Sequence, residues 1–362
     1  MELLVRPLKI PMKARMKHAS FERKTGDSVW VEARRGGQVG LGEGCPRPYV
    51  TNETTASALQ WLEGSSALAL ESFEALEAWV ALHGDEIDLH PGAWCALETA
   101  LLDLFAREKG CSVEALLGVP ETRGELEYTA VVSDESGEAL DKLLQRYLGV
   151  GFKDFKFKIS GDRTADLAKL QRFAALAEGT FRIRLDGNNV WGDDVARAKE
   201  ELQALDPTRY FAVEEPLTAR RAEDLSRLST ELGVAIILDE SLCWRSDVAR
   251  YKDLPGRWIA NVKVSKAGGL LRSLALIAEA RKARWPVIIG AQVAETSVLT
   301  RAGIIAARAA EDSLLAIEGG FGTLLLEHDL TEPVLMFGFE GKLQIPTGGL
   351  GLGLQRNTET GD

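Results

Sequence analysis

Charged residues recur through the second half of the chain at intervals of one strand plus one helix. Lys156 and Lys158 lie in Phe155-Lys156-Phe157-Lys158-Ile159, and Asp186 ends Arg182-Ile183-Arg184-Leu185. Glu214 and Glu215 follow Phe211-Ala212-Val213, Asp239 follows Ala235-Ile236-Ile237-Leu238, and Lys263 follows Ile259-Ala260-Asn261-Val262. Glu295 lies just past an apolar run over 287–290. The spacings are 28 (158 to 186), 28 (186 to 214), 25 (214 to 239), 24 (239 to 263) and 32 (263 to 295). Alternate residues of a strand share a face, so both lysines of the Lys-x-Lys run point the same way.

Carboxylates from three successive strands, with no cation among them, would repel one another and resist ionisation. A hard divalent cation relieves that repulsion, and all-oxygen ligation suits Mg²⁺ or Mn²⁺ better than zinc. Such an ion keeps positions for a substrate carboxylate and takes up the charge that develops when a proton leaves the adjacent carbon. A lysine serves as the base when nearby positive charge lowers its pKa, and Lys156 beside Lys158, with the ion, supplies that charge. One lysine lies on the strand before the carboxylates and another on the strand after them. A single charged residue at a strand end is usually solvated or ion-paired. Six in phase with the strand period carry the reading.

The elements that must position these residues are short apolar runs alternating with amphipathic helices. Strands are expected at 128–133, 155–159, 181–186, 211–214, 235–239, 259–263, 287–290 and 314–317. Eight strands joined by helices imply a parallel sheet covered on both faces. The count, and charged residues at the C-terminal strand ends, favour closure into a barrel whose active face lies at those ends. Upstream, strands are expected at 3–10 and 28–33, a turn at Gly40-Leu41-Gly42-Glu43-Gly44, and helices at 54–62, 73–82 and 93–109, with Gly110 as a C-cap. The tail, 337–354, returns to short β-like segments and is expected to leave the barrel and pack on the first part of the chain.

Of the 362 residues, 45% are apolar and 27% charged, which suits a globular protein able to bury a large core. The net charge of −11 argues against a nucleic-acid partner, which requires a basic face. Cys45, Cys95, Cys111 and Cys243 have neither disulfide-framework nor zinc-site spacing, which fits a reduced compartment. No apolar stretch is long enough to span a bilayer, and the N-terminal segment is too brief for a signal sequence. A cytoplasmic protein with no membrane partner is expected.

With these motifs the chain resembles the enolase superfamily, specifically its muconate lactonizing enzyme subgroup. The resemblance runs over nearly the whole chain and rests on Ala96-Leu97-Glu98-Thr99-Ala100-Leu101-Leu102-Asp103, the Lys-x-Lys strand, Asp186-Gly187-Asn188, Glu214-Glu215-Pro216, Asp239-Glu240-Ser241, Lys263-Val264-Ser265-Lys266-Ala267-Gly268-Gly269 and Pro346-Thr347-Gly348-Gly349-Leu350-Gly351. It implies a (β/α)7β TIM-like barrel (123–325), an N-terminal α+β capping domain (1–122), and a C-terminal segment (326–362) that completes the cap. It assigns the metal to Asp186, Glu214 and Asp239, with Glu215 and Asn188 in support. Lys158 and Lys263 then face each other across the substrate, Lys156 tunes Lys158 and touches the substrate carboxylate, and Glu295 helps order the site. The histidine-based branch is disfavoured, because none of His18, His83, His90 and His328 falls at the end of strand six or seven.

Lysines on both faces permit racemisation or epimerisation, a syn elimination such as succinylbenzoate formation, or cycloisomerisation. A racemase or epimerase of an amino-acid-derived or N-substituted carboxylate leads, and a non-catalytic homologue is the contrasting reading. The family's dipeptide epimerases carry Asp-x-Asp after strand eight, where this chain has Ile317-Glu318-Gly319-Gly320, leaving Glu318 to pair with a substrate amine. Substrate choice is expected in two capping loops, 15–24 and 45–51. The first contains Arg15, Lys17, His18, Arg23 and Lys24, and the second Arg47 and Tyr49. A small-molecule carboxylate is the expected partner, and the sequence is compatible with a homo-oligomer.

Overall fold

The computed structural model describes residues 1–18, 21–133 and 135–357, with all their side chains except those of residues 14–18, 21–23 and 66–67. The chain begins with an antiparallel meander of β1 (Glu2–His18), β2 (Phe21–Arg35) and β3 (Gln38–Gly44). The first two strands run well beyond the spans expected from sequence. The third replaces the turn expected at Gly40 to Gly44, and the reason is steric. Gly40, Gly42 and Gly44 share one face of β3 and lie directly on the helix Pro91–Glu108. A Cβ would come within 2.1 Å of the Ala100 carbonyl at Gly40, 1.9 Å of Ala96 O at Gly42 and 1.8 Å of Gly92 O at Gly44. Two strand residues rise about 6.6 Å and four helical residues about 6 Å, so the two repeats stay in step. These glycines serve close approach of strand and helix.

After β4 (Glu125–Glu127) come eight parallel strands in sequential order: β5 (Ala130–Val132), β6 (Asp154–Lys158), β7 (Arg182–Asp186), β8 (Ala212–Glu214), β9 (Ala235–Leu238), β10 (Trp258–Val262), β11 (Val287–Ile289) and β12 (Leu314–Ile317). The helices Gly137–Val150, Arg163–Leu176, Val195–Ala204, Ala222–Leu232, Val248–Tyr251, Leu270–Lys282 and Ser297–Ala310 lie in the seven intervals between them. At the seam the Thr129 N–H donates to Ile317 O at 2.8 Å, which brings the first and last strands together. The result is the expected (β/α)7β barrel. Inward residues Ala212, Ile237, Ile259, Ile288 and Ala316 form an apolar floor, and two positions further along these strands stand Glu214, Asp239, Asn261, Gly290 and Glu318. Outward residue Phe155 packs against Phe173 and edge-on against Phe181, and Phe157 packs edge-on against Phe173.

The tail adds β13 (Thr331–Glu332), β14 (Lys342–Gln344) and β15 (Gln355–Arg356). β13 pairs with β15, and β14 pairs with β4. This segment makes contacts with the first part of the chain. Gly351 exchanges backbone hydrogen bonds with Cys111 and Val113, both 2.9 Å, and Asp103 of the long helix accepts from Leu41 N (2.9 Å) and Leu352 N (2.7 Å). Among the described residues no helix is long and apolar enough to cross a membrane.

A buried ion pair joins the two parts. Glu114 accepts from Arg301 of the helix Ser297–Ala310 at 2.5 Å and from Thr122 Oγ1 at 2.6 Å. Removing one member leaves an uncompensated interior charge, so Glu114→Ala is expected to cost about 3–5 kcal/mol. Urea unfolding measures this, and a loss below about 1 kcal/mol would show that the pair does not fasten the cap to the barrel.

Candidate active site

Strand pleating delivers the charged residues to one place. Asp154, Lys156 and Lys158 alternate along β6, Arg184 and Asp186 along β7, and Asn261 and Lys263 lead out of β10. The parallel register sets Lys158 opposite Asp186, and Asp186 opposite Glu214. Asp239 lies two residues beyond Ile237, which pairs with Glu214. Gly290 leaves room for the last lysine, because a Cβ there would stand 2.2 Å from Asn261 Oδ1 and 2.9 Å from Lys263 Cε.

Together these residues form a buried lattice of opposite charges. Lys156 Nζ lies 2.7 Å from Glu318, 3.2 Å from Glu214 and 3.5 Å from Asp186. Lys158 donates to Asn188 Oδ1 at 2.8 Å and lies 3.8 Å from Asp186. Lys263 donates to Asp239 Oδ2 at 2.5 Å, and Lys266 to the other oxygen at 2.8 Å. Asn261 donates to Glu214 at 2.9 Å. Glu215, with φ of 33°, turns away from the lattice and accepts from Asp239 N, Ser241 N and Ser241 Oγ, which fixes the backbone that carries Asp239.

The pKa shifts follow the pairing. Burial pushes Glu214 up to about 8, the nearby Asp186, Glu318 and Asp239 add to the rise, and Lys156 opposes it. For Asp239 burial also raises the pKa, but Lys263 and Lys266 outweigh it and hold the carboxyl below its usual range. For Lys156 burial disfavours the charge, but Glu214, Glu318 and Asp186 outweigh it and raise the pKa. Glu318 reaches about 2, since Lys156 and Arg184 more than offset its burial. Burial lifts Glu295 to about 8 even though it accepts from Gln292 N at 2.7 Å.

Lys156, Lys158, Asp186, Asn188, Asp239, Lys263, Glu295 and Glu318, with Tyr49 of the cap, line a cavity of about 460 Å³. Glu214 and Glu215 are fully buried beside it. Arg47 is placed differently: it is buried, its Nη1 donates to Asp27 O (2.9 Å) and Pro46 O (2.8 Å), and its Nη2 donates to Val293 O (2.7 Å). It clips the cap to the loop after β11. The side chains of His18 and Arg23 lie outside the described residues. Three further site residues are not anticipated from the sequence: Arg184, which donates to Glu318 at 2.8 Å, Asn261 and Lys266. Arg184 and Asn261 each stand two positions before an expected site residue on the same strand face, and that period is the signal that points to them.

As a donor set, Asp186, Glu214 and Asp239 suit a hard divalent cation. They are all-oxygen, buried and mutually repelling. As the side chains stand, no three His, Cys, Asp or Glu residues among those described converge on one point. Ammonium groups from Lys156, Lys263 and Lys266 stand on the carboxylates, so a cation would have to displace lysine contacts from them.

A parallel barrel with an α+β cap and two lysines flanking three buried carboxylates defines an enzyme of the metal-dependent isomerase class. Residues 139–360 match the family model described as Enolase C-terminal domain-like. The chain is 26% identical over 324 residues to a hydrophobic dipeptide epimerase of Enterococcus faecalis, covering 88% of this chain and 90% of that one. It superposes on the E. faecalis dipeptide epimerase structure complexed with Mg and the dipeptide L-Leu-L-Tyr with a TM-score of 0.84, at 23% identity, over 98% of this chain and 99% of that one. It superposes equally, at 0.84 and 19% identity, on the N-succinyl Arg/Lys racemase of Bacillus cereus, over 99% and 95% of the two chains. The chain belongs to the enolase superfamily, in its muconate lactonizing enzyme subgroup.

The placement of Arg47 is testable. Arg47→Ala strips three carbonyls of a charged donor and is expected to destabilise the fold by at least about 2 kcal/mol, read as a fall in the thermal midpoint. A substrate-facing arginine would instead leave the midpoint in place and raise KM.

Proposed function

We propose that the protein is a racemase or epimerase that removes and returns the proton on the carbon next to a carboxylate, in an amino-acid-derived or N-substituted substrate. The observation that carries this reading is that Lys158 and Lys263 both reach the cavity from β6 and from the end of β10, with the three carboxylate-bearing strands between them. In a curled sheet, strands so separated address a common ligand from opposite sides. A divalent cation, Mg²⁺ or Mn²⁺, held by Asp186, Glu214 and Asp239 would supply Lewis-acid stabilisation of the charge gathering on the substrate carboxylate. Lys158, oriented by Asn188, takes the proton at Nζ from one face. Lys263, released from Asp239, delivers a proton at Nζ to the other, and the reverse reaction exchanges the two roles. Lys156 remains cationic and faces the substrate carboxylate. Glu215 fixes Asp239, and Glu295 holds the backbone of the loop that walls the cavity. The names of the similar proteins, dipeptide epimerases and an N-succinylamino acid racemase, support amino-acid-derived substrates.

With N-acetyl amino acids and dipeptides in heavy water, both enantiomers at the reacting carbon are expected to take up deuterium. Lys158→Ala and Lys263→Ala are each expected to lower interconversion about 10²–10⁴-fold while keeping exchange with opposite enantiomers. Loss of exchange with both enantiomers in only one variant would point to a single-base elimination or cycloisomerisation. Chelation should abolish exchange, and Mg²⁺ should restore it and raise the thermal midpoint, by about 2.7 kcal/mol of stability at one hundred times Kd. An unchanged midpoint with Mg²⁺ would count against cation binding by these carboxylates.

A further inference from the structure

A column of opposite charges crosses the barrel interior from its N-terminal end to the cavity. Arg182 and Arg184 share the inward face of β7 with Asp186, and Asp154 shares that of β6 with Lys156. At the end remote from the cavity the exposed Arg182 brings Nε within 3.3 Å of Asp154 Oδ2. The other Asp154 oxygen accepts from Arg184 Nη1 and from Thr129 Oγ1 (2.7 Å). Arg184 is wholly buried, and its Nη2 donates to Thr129 Oγ1 at 3.0 Å and to Glu318 Oε1 at 2.8 Å. Glu318 Oε2 then accepts from Lys156 at 2.7 Å, at the cavity wall. Barrel interiors are ordinarily filled by layers of apolar side chains. An apolar core of the same volume is often at least as stable as buried ions, and Arg184 Nε is left without a hydrogen-bond partner among the described residues. Stability alone does not account for the column.

We infer that Arg184, backed by Asp154, is a positioning residue that acts on Lys156 through Glu318 and keeps that lysine beside the substrate carboxylate when a divalent cation occupies the site. The inference rests on the proposed reading of Asp186 and Glu214 as cation ligands and of Lys156 as facing the substrate. Lys156 has three carboxylate partners, and two of them, Glu214 (3.2 Å) and Asp186 (3.5 Å), belong to that donor set. With those two engaged by a cation, Glu318 is the partner that remains. It can hold the lysine only while it is ionised and aimed. Arg184 secures both, since it takes one oxygen and leaves the other to Lys156. Asp154 in turn fixes the guanidinium from the opposite side. The end of the barrel remote from the cavity thereby bears on the position of one ammonium group.

The test is a mutant cycle in the full-length protein, read by calorimetric Mg²⁺ binding. Arg184→Met made together with Asp154→Asn removes the column's ion pair without changing the net charge. The pair of changes is expected to raise the Mg²⁺ Kd about tenfold, because Lys156 then leans on Glu214 and Asp186. In a Lys156→Met background, where the group acted upon is gone, it is expected to change Kd less than about twofold. Asp154→Asn alone, expected to give about threefold in the same direction, takes its place in the cycle if the paired variant does not fold. Arg184→Lys, which keeps the charge, should lose less than the paired variant. In α-deuterium exchange of N-acetyl amino acids and dipeptides, kcat/KM should fall about tenfold in the paired variant, chiefly through KM. Equal changes in Kd with and without Lys156 would show a role in the fold alone and overturn the inference. So would an unchanged Kd in both backgrounds, or no Mg²⁺ binding by the unsubstituted protein. Coupling of the column to Lys156 in Mg²⁺ binding with no exchange of any substrate would uphold the column and reject the racemase reading. Exchange by the unsubstituted protein without that coupling would do the reverse.

Discussion

Charge compensation inside the barrel mouth is the constraint on which the rest of the structure depends. Asp186, Glu214, Asp239 and Glu318 are all removed from water, and an unpaired interior carboxylate would be neutralised or would unfold its surroundings. Each is answered by a cation from another element of the barrel: Lys156 on Asp186, Glu214 and Glu318, Arg184 on Glu318, and Lys263 and Lys266 on Asp239. The same groups that make burial tolerable are the ones a proton-transfer site requires. A divalent ion would enter this lattice by exchanging one form of compensation for another. That exchange frees the lysines whose proton affinity is otherwise raised by their carboxylate partners.

The cap imposes the second condition, a fixed roof over the barrel mouth. Glycines on alternate positions of β3 let the meander lie directly on the helix Pro91–Glu108, and Glu98 of that helix accepts Leu271 N of the barrel helix Leu270–Lys282 at 3.0 Å. From the end of β3 the buried Glu43 accepts Thr296 N (3.1 Å) and Thr296 Oγ1 (2.6 Å), just past Glu295, while Arg47 grips Val293 O. The loop that walls the cavity at 291–296 is therefore held from the cap as well as from its own strand. Replacing a residue such as Glu43 or Arg47 would disturb the cavity without touching the ligand.

Local periodicity made much of this legible. The Lys-x-Lys run, Asp186, Glu214, Asp239 and Lys263 could be placed on one face at one end of a barrel because strand alternation and the βα repeat are properties of neighbouring residues. The same rule extended two positions back would have pointed to Arg184 and Asn261. It could not identify β3, since a run of glycines spaced by two reads as a turn until the helix that needs their close approach is in place. Nor could it tell that Arg47, in a loop that could face substrate, has its guanidinium turned onto three carbonyls.

By itself, then, the sequence determined the barrel, the chemical types at its mouth and the strand each one stands on, because these follow from spacing along the chain. Only the tertiary structure decided which partner each charge takes, and that Glu318 is shared by Lys156 and Arg184. It alone decided that the cavity continues between the helix Gly137–Val150 and residues 324–337. Those contacts join segments more than 170 residues apart. Side chains meet across such separations according to the global path of the backbone, which no local pattern encodes.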